Sequence, residues 1–232
     1  MKSSYNHIFF DLDHTLWDYD QNARVTLVEL YDGYALFNYG KCMAEQLVEK
    51  FFRINSQLWW QYDLGQIDRE FLRQQRFRMI FRELGFTDMD LAFQFGEDYV
   101  ALCPLKSAVV PGAIELLDYL TGRYTMHVIT NGFNDVQLVK IKSSGLSHYF
   151  SEVITSERAG ARKPSAQIFS YSMEITGAGK HNSVMVGDNL ITDIGGARAS
   201  GIDHVYYNPE KVAHSEPVTL EIHTLHELKE YL

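Results

Sequence analysis

From Pro111 onward, short β-rich runs alternate with helical segments, and this alternation limits what the chain can fold into. The runs are Met126-His127-Val128-Ile129, Glu152-Val153-Ile154-Thr155, Ser183-Val184-Met185-Val186 and His204-Val205-Tyr206-Tyr207, with a last strand expected near Leu220–Ile222. Helical stretches near residues 112–121, 134–144, 165–176 and 190–200 separate them. Strands that alternate with helices build parallel βαβ units with right-handed crossovers. Ile8-Phe9-Phe10 has the same strand character, although a long helical block parts it from the others. That block reads as helices over Ala23–Leu36 and Ala44–Tyr62, a third capped by Asp68 and ended by Gly85, and a fourth over Met89–Leu102. None of the five prolines falls in the first 103 residues, as an uninterrupted helical block requires. The economical reading is one α/β core from residues 1–16 and 104–232, with a helical insertion over 17–103. Thr224-Leu225-His226-Glu227 reads as a capping box opening a terminal helix.

Bulk composition excludes some functions. A net charge of −9 disfavours a nucleic-acid polymer as partner, which would want a basic face. It leaves a small anionic substrate open, because a bound cation reverses the sign locally. Cys42 and Cys103 form neither a metal-type cluster nor a disulfide framework, and two free thiols suit a reducing compartment. The three-residue apolar run near the N-terminus is too short for a signal-peptide core or a membrane span. A soluble cytoplasmic protein with no membrane partner is expected; the oligomeric state is not legible.

Ligands of open parallel sheets bind outside the carboxyl ends of the strands. The first strand delivers Asp11-Leu12-Asp13-His14-Thr15, whose two acids leave on one side if the strand period of two holds. The second delivers Thr130-Asn131-Gly132, the third leads to Lys163-Pro164, and the fourth delivers Gly187-Asp188 with Asp193 beyond. Two acid pairs, a hydroxyl, a lysine and backbone amides suit phosphoryl transfer, in which charge is neutralised, oxygens are held and phosphorus is exposed to an in-line nucleophile. Hard carboxylate oxygens favour Mg2+, with Asp11, Asp188 and a carbonyl of Asp13 as ligands. Each piece also has a bland account. Thr130 closes a turn before Asn131-Gly132, Lys163 is a solvated loop lysine, Asp188 caps a helix, and Asp193 is an exposed helix residue. The joint occurrence of the groups in this order favours a site.

The chain resembles the haloacid dehalogenase superfamily in its phosphatase majority. The resemblance rests on Asp11-Leu12-Asp13-His14-Thr15, Ile129-Thr130-Asn131-Gly132, Arg162-Lys163-Pro164 and Gly187-Asp188-Asn189-Leu190-Ile191-Thr192-Asp193. It implies a Rossmann-like three-layer parallel sheet core with an inserted all-α cap domain. It implies Asp11 as the nucleophile that forms an aspartyl-phosphate and Asp13 as the group that protonates the leaving oxygen and then activates water. Mg2+ would be bound by Asp11, the Asp13 carbonyl and Asp188. Thr130, the Asn131 amide and Lys163 would hold the phosphoryl group, and Asp193 would act through water or orient Lys163. Dehalogenating members lack the second acid, so Asp13 argues against dehalogenation. Phe10 to Asp18 and Ile129 to Phe133 further resemble the 5′-nucleotidase branch, which implies a nucleoside monophosphate as substrate. The readings weighed against it are a sugar-phosphate mutase or phosphoglycolate-type phosphatase of the same superfamily, and a catalytically inactive phosphate-binding regulatory protein.

In the insertion, Trp59, Trp60, Phe51, Phe52, Tyr62, Phe77 and Phe81 read first as bundle core. Trp17, which leaves the Asp11–Thr15 segment directly, is the candidate for contact with the leaving group. Arg69, Arg73, Arg76, Arg78 and Arg82 read as a solvated face or an anion-steering rim. The glycines of Gly195-Gly196-Ala197-Arg198-Ala199-Ser200-Gly201 read as close approach of a helix to the sheet.

Overall fold

The structure is a computed structural model that describes residues 5–232. The chain divides into two compact units: one takes the chain up to Tyr19 together with Ser107–Leu232, the other Asp20–Lys106. The divisions fall at Tyr19 and Lys106, slightly later than the sequence boundaries at residues 16 and 103.

The first unit is built on a six-stranded sheet, β1 (His7–Phe10), β2 (Thr125–Thr130), β3 (Phe150–Thr155), β4 (Ser183–Gly187), β5 (Asp203–Tyr207) and β6 (Leu220–Ile222). The strand order is β3-β2-β1-β4-β5-β6 and every pairing is parallel. Alternate residues of a strand face opposite sides, yet Ile8, Phe9 and Phe10 are all buried, as are Val184, Met185 and Val186. Both faces are therefore covered, as parallel sheets require. On one face Phe9, Ile129, Ile154 and Met185 pack with Ile168, Phe169 and Ala197 of the following helices. This is the three-layer α/β architecture, with β1 central and flanked by β2 and β4.

The second unit is helical: α1 (Tyr19–Gly33, its first residue in the other unit), α2 (Ala44–Asp63), α3 (Arg69–Glu83) and α4 (Met89–Leu102). Asp68 and Asp88 cap α3 and α4 by accepting backbone amides. Phe51, Phe77, Phe81, Phe95 and Tyr99 fill its interior. Arg76 is buried among Phe51, Phe77 and Tyr99, and its guanidinium donates to Asn55 (3.0 Å), so the five arginines do not share one solvent-facing rim.

The remaining core helices are α5 (Ala113–Leu120), α6 (Asn134–Ser143), α7 (Ser156–Ala159), α8 (Ala166–Thr176) and α9 (Gly196–Ala199). Some elements differ from the sequence reading. Helix α1 starts earlier, and Ala35 in the left-handed region (φ 47°) separates it from a short turn over Leu36–Tyr39. The segment read as one helix over 190–200 is a wide π-type turn, Leu190–Gly195, followed by α9. Its cause is visible, since the Asn189 carbonyl accepts the amides of both Asp193 (3.0 Å) and Ile194 (3.1 Å). Gly196 admits a helix rather than the sheet: a Cβ there would stand 2.5 Å from Phe169 and 3.0 Å from the Pro164 backbone. The terminal capping box forms, but the helix it opens, Leu225–Glu230, is 3₁₀. No helix among the described residues is long and apolar enough to cross a membrane.

A pair of histidines, one buried and one half-buried, lies within the sheet. His7 and His127 face each other across β1 and β2, ring nitrogens 3.1 Å apart, and His127 Nδ1 is buried with no partner. Burial, then the neighbouring His7, pushes His127 down to about 4, with Glu152 opposing. A histidine lowered in the fold keeps its stabilisation above its unfolded value near 6.5 and loses it as pH falls toward 4. Urea unfolding should therefore show stability dropping between pH 6.5 and 4 by up to about 1.4 kcal/mol per pH unit from this site. His127→Phe should flatten that slope while leaving stability at pH 8 nearly unchanged.

Candidate active site

Strand β1 ends at Phe10, but the Asp11 amide still donates to Val186 O (2.9 Å), so Asp11 leaves the sheet alongside β4. The sheet order reverses between these two strands, which is where open α/β sheets hold ligands. The chain then turns tightly. The amides of Leu16 and Trp17 both donate to Leu12 O (2.9 and 2.8 Å), and His14 adopts φ 63°. The strand period therefore stops before Asp13, and the two acids part company.

Asp11 meets Lys163. The Lys163 ammonium, with a side chain only 2% exposed, lies 2.6 Å from Asp11 Oδ1 and 2.6 Å from Asp193 Oδ1. Burial pulls Lys163 down, but the two carboxylates outweigh it and keep it charged. Its backbone is clamped by Asn131, whose side-chain amide donates to Lys163 O (3.0 Å) and accepts from Lys163 N (2.8 Å). Asp193 is carried inward by the wide turn, and its Oδ2 accepts the Asn189 amide (3.0 Å). Gly187 makes room for it: a Cβ there would stand 2.3 Å from Asp193 Oδ2.

Asp13 meets α6. Lys140 Nζ lies 2.6 Å from Asp13 Oδ1 and Gln137 Nε2 donates to Asp13 Oδ2 (2.8 Å). Burial alone would push Asp13 up, but the Lys140 ammonium and the Gln137 amide outweigh it and hold the carboxyl below its ordinary value. The Gln137 amide also donates to Thr130 Oγ1 (2.8 Å), which accepts the Gly132 amide as well (3.1 Å). With two donors on its oxygen, the Thr130 hydroxyl is left to donate its own proton.

Asp188 accepts the Thr15 hydroxyl (2.9 Å). Carboxylate oxygens of Asp11, Asp188 and Asp193 lie within 4.8 Å of one another. Burial, then repulsion from Asp193, pushes Asp188 up to about 7 against the help of Thr15 and Lys163. Asp11 is pushed well above its ordinary value by burial and by Asp193 and Asp188, despite Lys163. Fully ionised, three carboxylates around one ammonium would carry two negative charges in excess, which adds to burial in making Asp11 and Asp188 hold their protons more tightly than usual. This donor set fits a hard divalent cation. Asp193 already commits one oxygen to Lys163 and the other to Asn189, so Asp11 and Asp188 are the better direct ligands.

The residues named from sequence thus fall into two groups: Asp11, Lys163, Asp188 and Asp193 together, and Asp13 with Thr130 through Gln137. Trp17 requires correction as a leaving-group contact. It is fully buried, and its ring backs the Lys140 ammonium at 4.4 Å. Gln137, Lys140, Thr15 and the bracketing side chain of Asn131 escaped the sequence reading. The available signal was the three-residue spacing of Gln137 and Lys140, which puts both on one face of the helix after Thr130-Asn131-Gly132.

Comparison with known proteins gives a consistent picture. The pyrimidine 5′-nucleotidase PynA of Streptococcus pneumoniae is 31% identical over 98% of this chain and 95% of its own. The pyrimidine 5′-nucleotidase YjjG of Escherichia coli is 29% identical over 97% of this chain and 96% of its own. Among solved structures, YfnB of Bacillus subtilis, crystallised bound to magnesium, shares the fold with a TM-score of 0.88 at 24% identity, covering 99% of each chain. Residues 5–201 match the profile of the haloacid dehalogenase-like hydrolases, and the chain belongs to that family.

Proposed function

We propose that the protein is a magnesium-dependent phosphate monoester hydrolase working through an aspartyl-phosphate on Asp11, and that its substrates are pyrimidine nucleoside 5′-monophosphates. The observation that carries the chemistry is the separation of the two acids. Asp11 sits against Lys163 within the carboxylate cluster, while Asp13 has its own cation in Lys140. Carboxyl groups given different surroundings take different roles. The substrate class rests on the two nucleotidase relatives, each covered almost end to end.

Lys163 holds Asp11 through Oδ1, leaving Oδ2 to attack phosphorus. The phosphorus–oxygen bond to the nucleoside breaks, and its electron pair goes to the departing 5′-oxygen, which takes a proton from Asp13. Lys140 and Gln137 keep that carboxyl ionised in the free protein, and the negative charge of the arriving phosphate raises its proton affinity so that it takes up a solvent proton on binding. Water then attacks the phosphorus of the aspartyl-phosphate and gives its proton to Asp13, restoring the Asp11 carboxylate. Thr130 donates its hydroxyl proton to a phosphoryl oxygen, beside the Asn131 amide and the Lys163 ammonium. Bound Mg2+, held by Asp11, Asp188 and the Asp13 carbonyl, would supply charge neutralisation for a dianionic ester. Phosphate monoesters are among the slowest substrates to react unaided, with enzymatic accelerations of up to ~10²¹, so a covalent step and several cations are reasonable demands. An acceptor other than water, as in a sugar-phosphate mutase, has no feature of this site in its favour.

Asp11→Asn should lower magnesium-dependent phosphate release from uridine and cytidine monophosphates at least about 1,000-fold, at unchanged circular dichroism. Undiminished turnover would remove Asp11 as nucleophile. A wild-type enzyme equally active on sugar phosphates and nucleotides would remove the substrate assignment alone. Magnesium should also stabilise the protein against heat, by about 2.7 kcal/mol at a hundredfold excess over Kd. Asp188→Asn should abolish most of that response in a thermal melt run with and without chelator.

A further inference from the structure

The face of α6 that carries Gln137 and Lys140 is not needed to break a phosphate ester, yet it holds the side chain that moves the protons. We propose that Lys140 and Gln137 are positioning residues for Asp13, fixing its carboxyl for the leaving oxygen and tying it to the phosphoryl-binding hydroxyl of Thr130. The inference rests on the reading of Asp13 as the proton-transfer group.

Four observations converge. First, each oxygen of Asp13 has its own donor from α6, Lys140 on Oδ1 at 2.6 Å and Gln137 on Oδ2 at 2.8 Å. Two contacts on a planar group fix both its torsions. Second, the same Gln137 nitrogen also donates to Thr130 Oγ1 at 2.8 Å, so one amide sets Asp13 relative to Thr130. Third, the clamp is supported from behind. The Lys140 ammonium lies 4.4 Å from the Trp17 ring centroid and 5.4 Å from that of Tyr19, and its side chain is 6% exposed. Gly132 gives Gln137 its space, since a Cβ there would stand 2.1 Å from Nε2.

Fourth, the arrangement is a poor way to stabilise a fold. Gln137 Oε1 is buried with no partner, an orphaned acceptor that costs about 1–3 kcal/mol. A largely buried ammonium–carboxylate pair gains little net, because desolvation offsets its attraction. Rotating the Gln137 amide would set a carbonyl oxygen against the Asp13 carboxylate, so the donor orientation is the one Asp13 requires. The amide is therefore held where it serves Asp13 and Thr130. Trp17 follows from the same logic, as the wall behind Lys140 rather than a surface for the nucleobase.

Leaving groups discriminate positioning from mere structural support. A nucleoside 5′-oxygen departs poorly without a proton, whereas p-nitrophenolate departs without one. Rapid-mixing experiments with magnesium would compare uridine monophosphate and p-nitrophenyl phosphate in the wild type, Lys140→Met, Lys140→Arg and Gln137→Met. Lys140→Met should slow uridine release about 100-fold with KM within threefold. Its nitrophenolate burst should keep its rate within threefold, followed by slow turnover because water attack also needs Asp13. Lys140→Arg should recover the uridine rate to within tenfold. Gln137→Met keeps the ion pair and should show the same split at about tenfold, so the inference survives a Lys140→Met chain that fails to fold. Equal loss of the first step on both esters, or no loss on either, overturns the positioning role. Asp13→Asn is the reference: full nucleotide turnover there overturns the reading of Asp13 itself. A defective Asp13→Asn beside unaffected Lys140 and Gln137 variants overturns only the present inference.

Discussion

A single buried ammonium organises the site. Lys163 is almost wholly withdrawn from water and stays charged because Asp11 and Asp193 each bring an oxygen to 2.6 Å. An unpaired charge in that position would cost several kcal/mol. The surrounding sequence is arranged to make the pairing possible. Asn131 clamps the Lys163 backbone from the end of β2, the wide turn after β4 swings Asp193 inward, and Gly187 leaves it space. Four separate chain segments thus converge on one cation. Their order along the sheet, with β1 between β2 and β4, is what lets them meet.

The two acids of the first loop show how a fold separates groups that sequence places side by side. Asp11 and Asp13 are two residues apart, and a continued strand would aim them alike. The strand stops at Phe10 and the Leu12 carbonyl gathers two amides into a tight turn. Asp11 then faces the loop after β3, and Asp13 faces helix α6. Each finds its own lysine, so their mutual repulsion is replaced by two attractions. Distinct surroundings make distinct roles physically reasonable for two identical side chains.

Much of this was legible in the sequence, and what was not has a common cause. Strand positions, the parallel sheet and helix α4 followed from local apolar patterning and from the spacing of caps and prolines. Asp11 and Asp188 were legible because each directly follows a strand, where local pattern fixes position, and Lys163 and Asp193 from the short motifs beyond β3 and β4 that contain them. Gln137 and Lys140 lie inside a helix, where a lysine is usually solvated, and only the tertiary approach of the first loop buries them. Trp17 misled for the mirror reason. It follows the Asp11–Thr15 segment directly in the chain, but the turn that forms that loop folds its ring inward. The break at residues 190–200 depends on one carbonyl accepting two amides, which no periodicity reveals.

The charge balance also bears on what the site can hold. Around Lys163 three carboxylates face one ammonium, and burial, then repulsion from Asp193, pushes Asp188 up to about 7. A phosphate monoester brings about two further negative charges near neutral pH, against which this cluster would be strongly repulsive. Lys140 does not relieve it, because Asp13 already engages that ammonium. On the proposed function, a divalent cation at Asp11 and Asp188 would neutralise the cluster and make room for such a substrate. The overall negative charge of the chain is then no obstacle to an anionic substrate, since the sign of the site is set by what the carboxylates hold.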